Sequence, residues 1–122
     1  MAQSTIFLPT ITNANIWIET SLGATAEQIK STSATIYIID VDNTANSSPT
    51  FVKLYDATSG NVTVGTTAPD WTFKIPNGIR VVIVPSGGVA TATALTAAAL
   101  TTGGTGGTSS PASACIVKIT YV

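Results

Sequence analysis

Trp71-Thr72-Phe73-Lys74-Ile75-Pro76-Asn77-Gly78 decides how the chain folds. Trp71, Phe73 and Ile75 alternate with Thr72 and Lys74, the period-two pattern of a half-buried β-strand. Pro76-Asn77-Gly78 then stops the strand with turn residues and fits a hairpin connection. Ile79 to Val84 follows as a nearly continuous apolar run ending at Pro85. Strand, turn and strand between Trp71 and Val84 leave no room for a helix.

Working outward, the same grammar repeats. Ala34 to Val41 is β-branched through its centre, at Thr35, Ile36, Ile38 and Ile39. Thr50 to Tyr55 places Val52 and Leu54 on one face and Phe51, Lys53 and Tyr55 on the other. Asn15 to Glu19 is a short strand with Ile16 and Ile18 opposite Trp17. Cys115 to Val122 alternates Cys115, Val117, Ile119 and Tyr121 against Lys118 and Thr120. Asn61 to Gly65 is a further short strand candidate.

Two stretches are less clear. Residues 20–31 hold the one candidate helical turn, with Thr25 as its cap, although a loop fits equally well. Val89 to Leu100 reads as strand in its first half and irregular in its second. Residues 1–13 read as an extended arm broken at Pro9 and Asn13. Seven or eight short strands separated by turns point to an all-β antiparallel sandwich, jelly-roll-like, over residues 14–122.

The 122 residues amount to one domain. Only 9% are charged, and the polar balance comes from 22 Thr and 11 Ser. Thr favours the pleated surface, so composition and pattern agree. The five basic residues are scattered and the net charge is −1, which excludes the basic patch that nucleic-acid binding needs. No apolar run is clean enough to span a membrane, and the N-terminus lacks a signal-peptide pattern, so synthesis in a cytoplasm is expected. Cys115 is the only cysteine, so no intrachain disulfide can form.

The chain contains no histidine. Nucleophile activation by Ser-His-Asp or Cys-His pairs needs an imidazole, so the chain is not expected to be an enzyme. Asp40-Val41-Asp42-Asn43 resembles the start of a calcium loop, but Ala45 and Phe51 stand where the Gly and Glu belong. The two Asp side chains are expected to fold the 42–49 turn instead. Gly103-Gly104-Thr105-Gly106-Gly107 lacks the Lys of a phosphate loop and reads, within 101–111, as a flexible loop. No metal, cofactor or catalytic residue is assigned. Trp17, with Trp71, Tyr37 and Tyr55, could form a sugar-stacking platform, which keeps a carbohydrate-binding or adhesive module as an alternative.

Two surfaces are candidate interfaces. With Val52 and Leu54 inside, Phe51, Lys53 and Tyr55 would stand outside as a subunit contact, unless both sheet faces are covered within the chain. The arm carries Ile6, Phe7, Leu8 and Ile11 with no charged side chain among them. At about 25 cal/mol per Å² of apolar area, an arm burying several hundred Å² against a neighbour contributes several kcal/mol before ordering costs.

The segment Phe51-Val52-Lys53-Leu54-Tyr55-Asp56, followed by Val62-Thr63-Val64-Gly65-Thr66-Thr67-Ala68-Pro69, resembles a pattern in small virion proteins of tailed bacteriophages. The resemblance covers roughly residues 34–84, with a weaker match at Ile119-Thr120-Tyr121. It implies a β-sandwich that decorates or cements an icosahedral head, as a homo-oligomer (trimer or dimer) bound to a major capsid protein on the capsid surface. A tail or neck component is the alternative within the same resemblance.

Overall fold

The computed structural model describes residues 12–122. The candidate contacts Ile6, Phe7, Leu8 and Ile11 lie outside the described residues. The rest is an all-β sandwich of two antiparallel sheets. Its strands are β1 (Asn15–Glu19), β2 (Glu27–Lys30), β3 (Thr35–Asp42), β4 (Thr50–Tyr55), β5 (Trp71–Ile75), β6 (Arg80–Ile83), β7 (Val89–Ala90), β8 (Leu95–Leu100) and β9 (Ile116–Tyr121).

The pairing is nested. β4 pairs with β5, β3 with β6 and β7, β2 with β8, and β1 with β9. Cross-pairs β3–β9 and β4–β8 join these into two sheets, ordered β1-β9-β3-β6 (with β7 also on β3) and β2-β8-β4-β5. A long antiparallel hairpin rolled up on itself gives this order, the jelly roll. The nine strands exceed the expected seven or eight because β2 and β8 are added, while the 61–65 candidate is lost.

The core lies between the sheets. Ile36, Ile39, Val41, Val117 and Ile119 from one sheet meet Val52, Leu54, Ile75, Leu95, Ala97 and Ala99 from the other. Ile36 and Ile39 are three apart, an odd spacing that would put them on opposite faces of a regular strand. A register shift between Ile36 and Ile38 leaves Tyr37 as an extra residue, and this bulge turns both isoleucines inward.

Four expectations are corrected. Residues 27–30 are strand β2, not helix, because Ile29 reaches the core only when this segment pairs along β8. Residues 61–65 are not a strand: Asn61 ends a single 3-10 turn at Ser59–Asn61, and a turn at 64–66 follows. Pro76-Asn77-Gly78 is not a hairpin connection, since β5 pairs in one sheet and β6 in the other. Its Gly78, at φ 72, donates its N–H to the carbonyls of Asn43 and Asn46 while the chain crosses between sheets.

The fourth correction is the largest. Leu95 to Leu100, expected to be irregular, is a fully buried inner strand of its sheet. Alanine favours helix in isolation, but its small side chain fits a strand covered on both faces. Leu95, Ala97 and Ala99 face the main core. Ala98 and Leu100 join Tyr55 and Val62 in a second cluster on the opposite face.

The end of the sandwich where β3 leaves its sheet is organised by buried Asn43. Its Nδ2 donates to the Pro76 carbonyl at 3.1 Å, and its Oδ1 accepts from Thr50 Oγ1 at 2.7 Å and Asn46 Nδ2 at 2.9 Å. At the start of β8, the Asp56 carboxylate accepts the N–H groups of Ala92, Thr93 and Ala94. These bonds hold the Asp56 carboxyl below the usual carboxylate range. Among the described residues no helix is long and apolar enough to cross a membrane.

Candidate functional site

The two sheets differ in what covers their outer faces. On β4 the outer face carries Phe51, Lys53 and Tyr55, the residues expected to stand in solvent. Lys53 and Tyr55 are instead buried, each about 1% exposed. Tyr55 lies in a cluster with Val62, Ala98 and Leu100, against which Ala24, Ala26, Ala57 and Val64 pack. The glycine-rich loop lies across the rest. Lys53 Nζ donates to the Gly104 carbonyl, and Thr101 N–H donates to the Ser109 carbonyl at 3.0 Å.

Gly103 approaches the Phe51 ring so closely that a Cβ there would stand 2.8 Å from a ring carbon. Loop 101–111, expected to be a flexible linker, is the cover of this sheet. Phe51, Lys53 and Tyr55 therefore do not form an exposed contact face on this chain. Burial disfavours the ammonium and lowers the Lys53 pKa; it also disfavours phenolate and raises that of Tyr55.

Of the four aromatic residues of the sugar-stacking alternative, Tyr55 is buried, whereas Trp17, Tyr37 and Trp71 are half-buried. Trp17 and Trp71 both pack against the main core, on the inner faces of β1 and β5.

Among the described residues, no loop covers the outer face of the five-stranded sheet in this way. On β1, turning Trp17 inward forces Ile16 and Ile18 outward, and both are more than half exposed. On β6, Val81 and Ile83 face the core, which leaves Val82 and the following Val84 more than half exposed. The register sets these residues in rows across the sheet. One row runs Ile18, Lys118, Asp40, Val82. A second runs Ile16, Thr120, Ile38. A third runs Ile116, Asp42, Arg80.

The centre of the face is charged and internally paired. Arg80 Nε donates to Asp40 Oδ1 at 2.8 Å, and its second nitrogen reaches Oδ2. This bidentate bond, more than any other influence, holds the Asp40 carboxyl below its ordinary value, and Lys118 adds to it. Asp42 Oδ1 accepts from Thr44 Oγ1 at 2.6 Å and Thr44 N–H at 3.0 Å, which lowers its pKa likewise. Asp42 thus folds the turn after β3, as expected, whereas Asp40 is engaged by Arg80 across the strands. Among the described residues no three His, Cys, Asp or Glu side chains converge as metal ligands.

Cys115 lies in the core, its thiol pushed up to about 11 by burial and, secondarily, by the charge of Asp42. It is placed as a packing residue, not a nucleophile.

Sequence reasoning missed this face for a traceable reason. β1 carries aliphatics on one side and an aromatic on the other, and either side could be the core side. Ile79 to Val84 is apolar on both faces, and that continuity was the available signal: a strand covered on one side only has no need of Val82. No family model, curated protein or solved structure matches the chain.

Proposed function

We propose that this chain is a non-catalytic structural subunit of a phage virion, a decoration or cement protein on the outer surface of the head. The observation that carries the reading is the open sheet face, where Ile16, Ile18, Val82 and Val84 project from a sheet whose inner side already fills the core. An apolar surface that the fold does not use is the mark of a contact surface. The jelly roll agrees with this role but does not argue for it alone, since unrelated functions share it. The resemblance of residues 34–84 to small virion proteins supplies the assembly.

The subunit acts by burying apolar surface across boundaries between shell subunits, so that internal pressure must break those contacts as well. The arm residues Ile6, Phe7, Leu8 and Ile11 remain the proposed contact with the major capsid protein. Co-sedimentation of the full chain with expanded empty heads, built from the major shell protein of the same genome, tests this. The full chain should pellet with heads, and a chain lacking residues 1–12 should stay in the supernatant. Heads that leave the full chain in solution, or that bind the truncated chain equally, would overturn the role or the arm contact respectively.

A further inference from the structure

We infer that the open face of the five-stranded sheet is a self-complementary dimer surface that takes a second copy of this chain, face to face. The strand order β1-β9-β3-β6 has two strands on each side of the β9–β3 seam. A two-fold axis along that seam lays β9 of one copy on β3 of the other, and β1 on β6.

The central row then meets its own reverse. Ile18-Lys118-Asp40-Val82 faces Val82-Asp40-Lys118-Ile18, so aliphatic meets aliphatic at both ends and cation meets carboxylate twice in the middle. In the row beside it, Ile16 falls toward the Val84 end of the other copy, and Thr120 toward Ile38. The third row, Ile116, Asp42 and Arg80, brings no matched pair and lies at the rim. Its charges still balance the face, because Lys118 and Arg80 offset Asp40 and Asp42. Two copies can therefore approach without net repulsion, the condition an isologous interface must meet.

Size places the contact among weak interfaces. Four strands at about 4.8 Å spacing and five residues at about 3.4 Å each make a patch roughly 19 by 17 Å. That lies well below the area of a standard interface, so a weak dimer that forms only at raised concentration is expected. Subunits held side by side on a larger assembly would meet at far higher effective concentration.

This inference rests on reading the chain as an assembly subunit, and charge reversal tests it separately from head binding. Asp40→Lys alone sets a new cation against Lys118 of the other copy, and Lys118→Asp alone sets a new carboxylate against Asp40. An equimolar mixture of the two variants restores both opposite-charge contacts. Sedimentation velocity of the full chain at rising concentration should show a monomer–dimer equilibrium. Each variant should be at least tenfold weaker, and the mixture should recover the wild-type equilibrium.

Val82→Glu, at an exposed position with no bond to lose, should abolish the dimer with the melting temperature unchanged. It keeps the test open should loss of the Arg80 contact unfold Asp40→Lys. A wild-type chain that stays monomeric at about 0.5 mM, a mixture that recovers nothing, or a Val82→Glu dimer of undiminished strength would overturn the proposal. Heads that pellet a monomeric chain would sink the dimer alone, and a dimer that no head binds would sink the virion role alone.

Discussion

Lys53 shows how one residue's surroundings invert its reading. By alternation it belongs to an outer face, and as a cation it should be solvated, yet the 101–111 loop seals it with the Gly104 carbonyl as its acceptor. A buried cation lowers stability unless well paired, and replacing such a charge by an apolar side chain of similar length is often stabilising. Lys53→Met is expected to raise stability near pH 7 by about 1 kcal/mol, read by urea denaturation. The folded-state pKa is lowered, so the unfolded chain binds more protons as pH nears the ordinary Lys value of 10.5. Wild-type stability should therefore gain on the variant's between the lowered pKa and 10.5, and the difference between them should shrink there. Cys115 makes a second residue-scale prediction. With its thiol pushed up to about 11 and sealed in the core, it should resist an aromatic disulfide reagent at about pH 8 in the native state. It should react fully in urea; fast native labelling would contradict its placement.

At the scale of elements, β8 carries the argument. Its alanines lie between the main core on one side and the Tyr55 cluster on the other, where little volume is available. Ala97→Leu should overpack this strand and cost about 2 kcal/mol in urea denaturation, whereas a cost near zero would show that the sheets can part. The strands at 35–42, 50–55, 71–75 and 116–121 were legible because β-branched and aromatic residues alternate there and turn residues bound them. β8 was not, because alanine carries the helix signal locally and only the second layer of structure reveals why small residues are needed. β2 was missed for the same reason, since Ile29 finds its place through a bulge opposite β8. The split between β6 and β7 follows from Pro85 and the two glycines after it, which the sequence marked as a turn without showing that both strands return to β3.

At the scale of the whole molecule, the two sheets have exchanged the roles that alternation alone assigned them. The β4 face expected to meet a partner is covered by the chain's own loops, and the exposed aliphatics lie on β1 and β6 of the opposite sheet. Which face is inward at Ile16-Trp17-Ile18 could not be read from three residues. It follows from the position of β1 at a sheet edge, where Trp17 covers the end of the core. The fold class was thus legible and the contact face was not, because covering a face depends on loops whose composition says only that they can bend.

The central claim is that this open face, and not the Phe51-Lys53-Tyr55 face, is where the subunit is held by another molecule. Sedimentation velocity of Ile18→Glu/Val82→Glu beside the wild type, both as full chains, tests it most directly. Both positions are exposed, so the double variant should melt with the wild type. It should remain monomeric at every concentration at which the wild type associates. A double variant that self-associates as the wild type does would contradict the account.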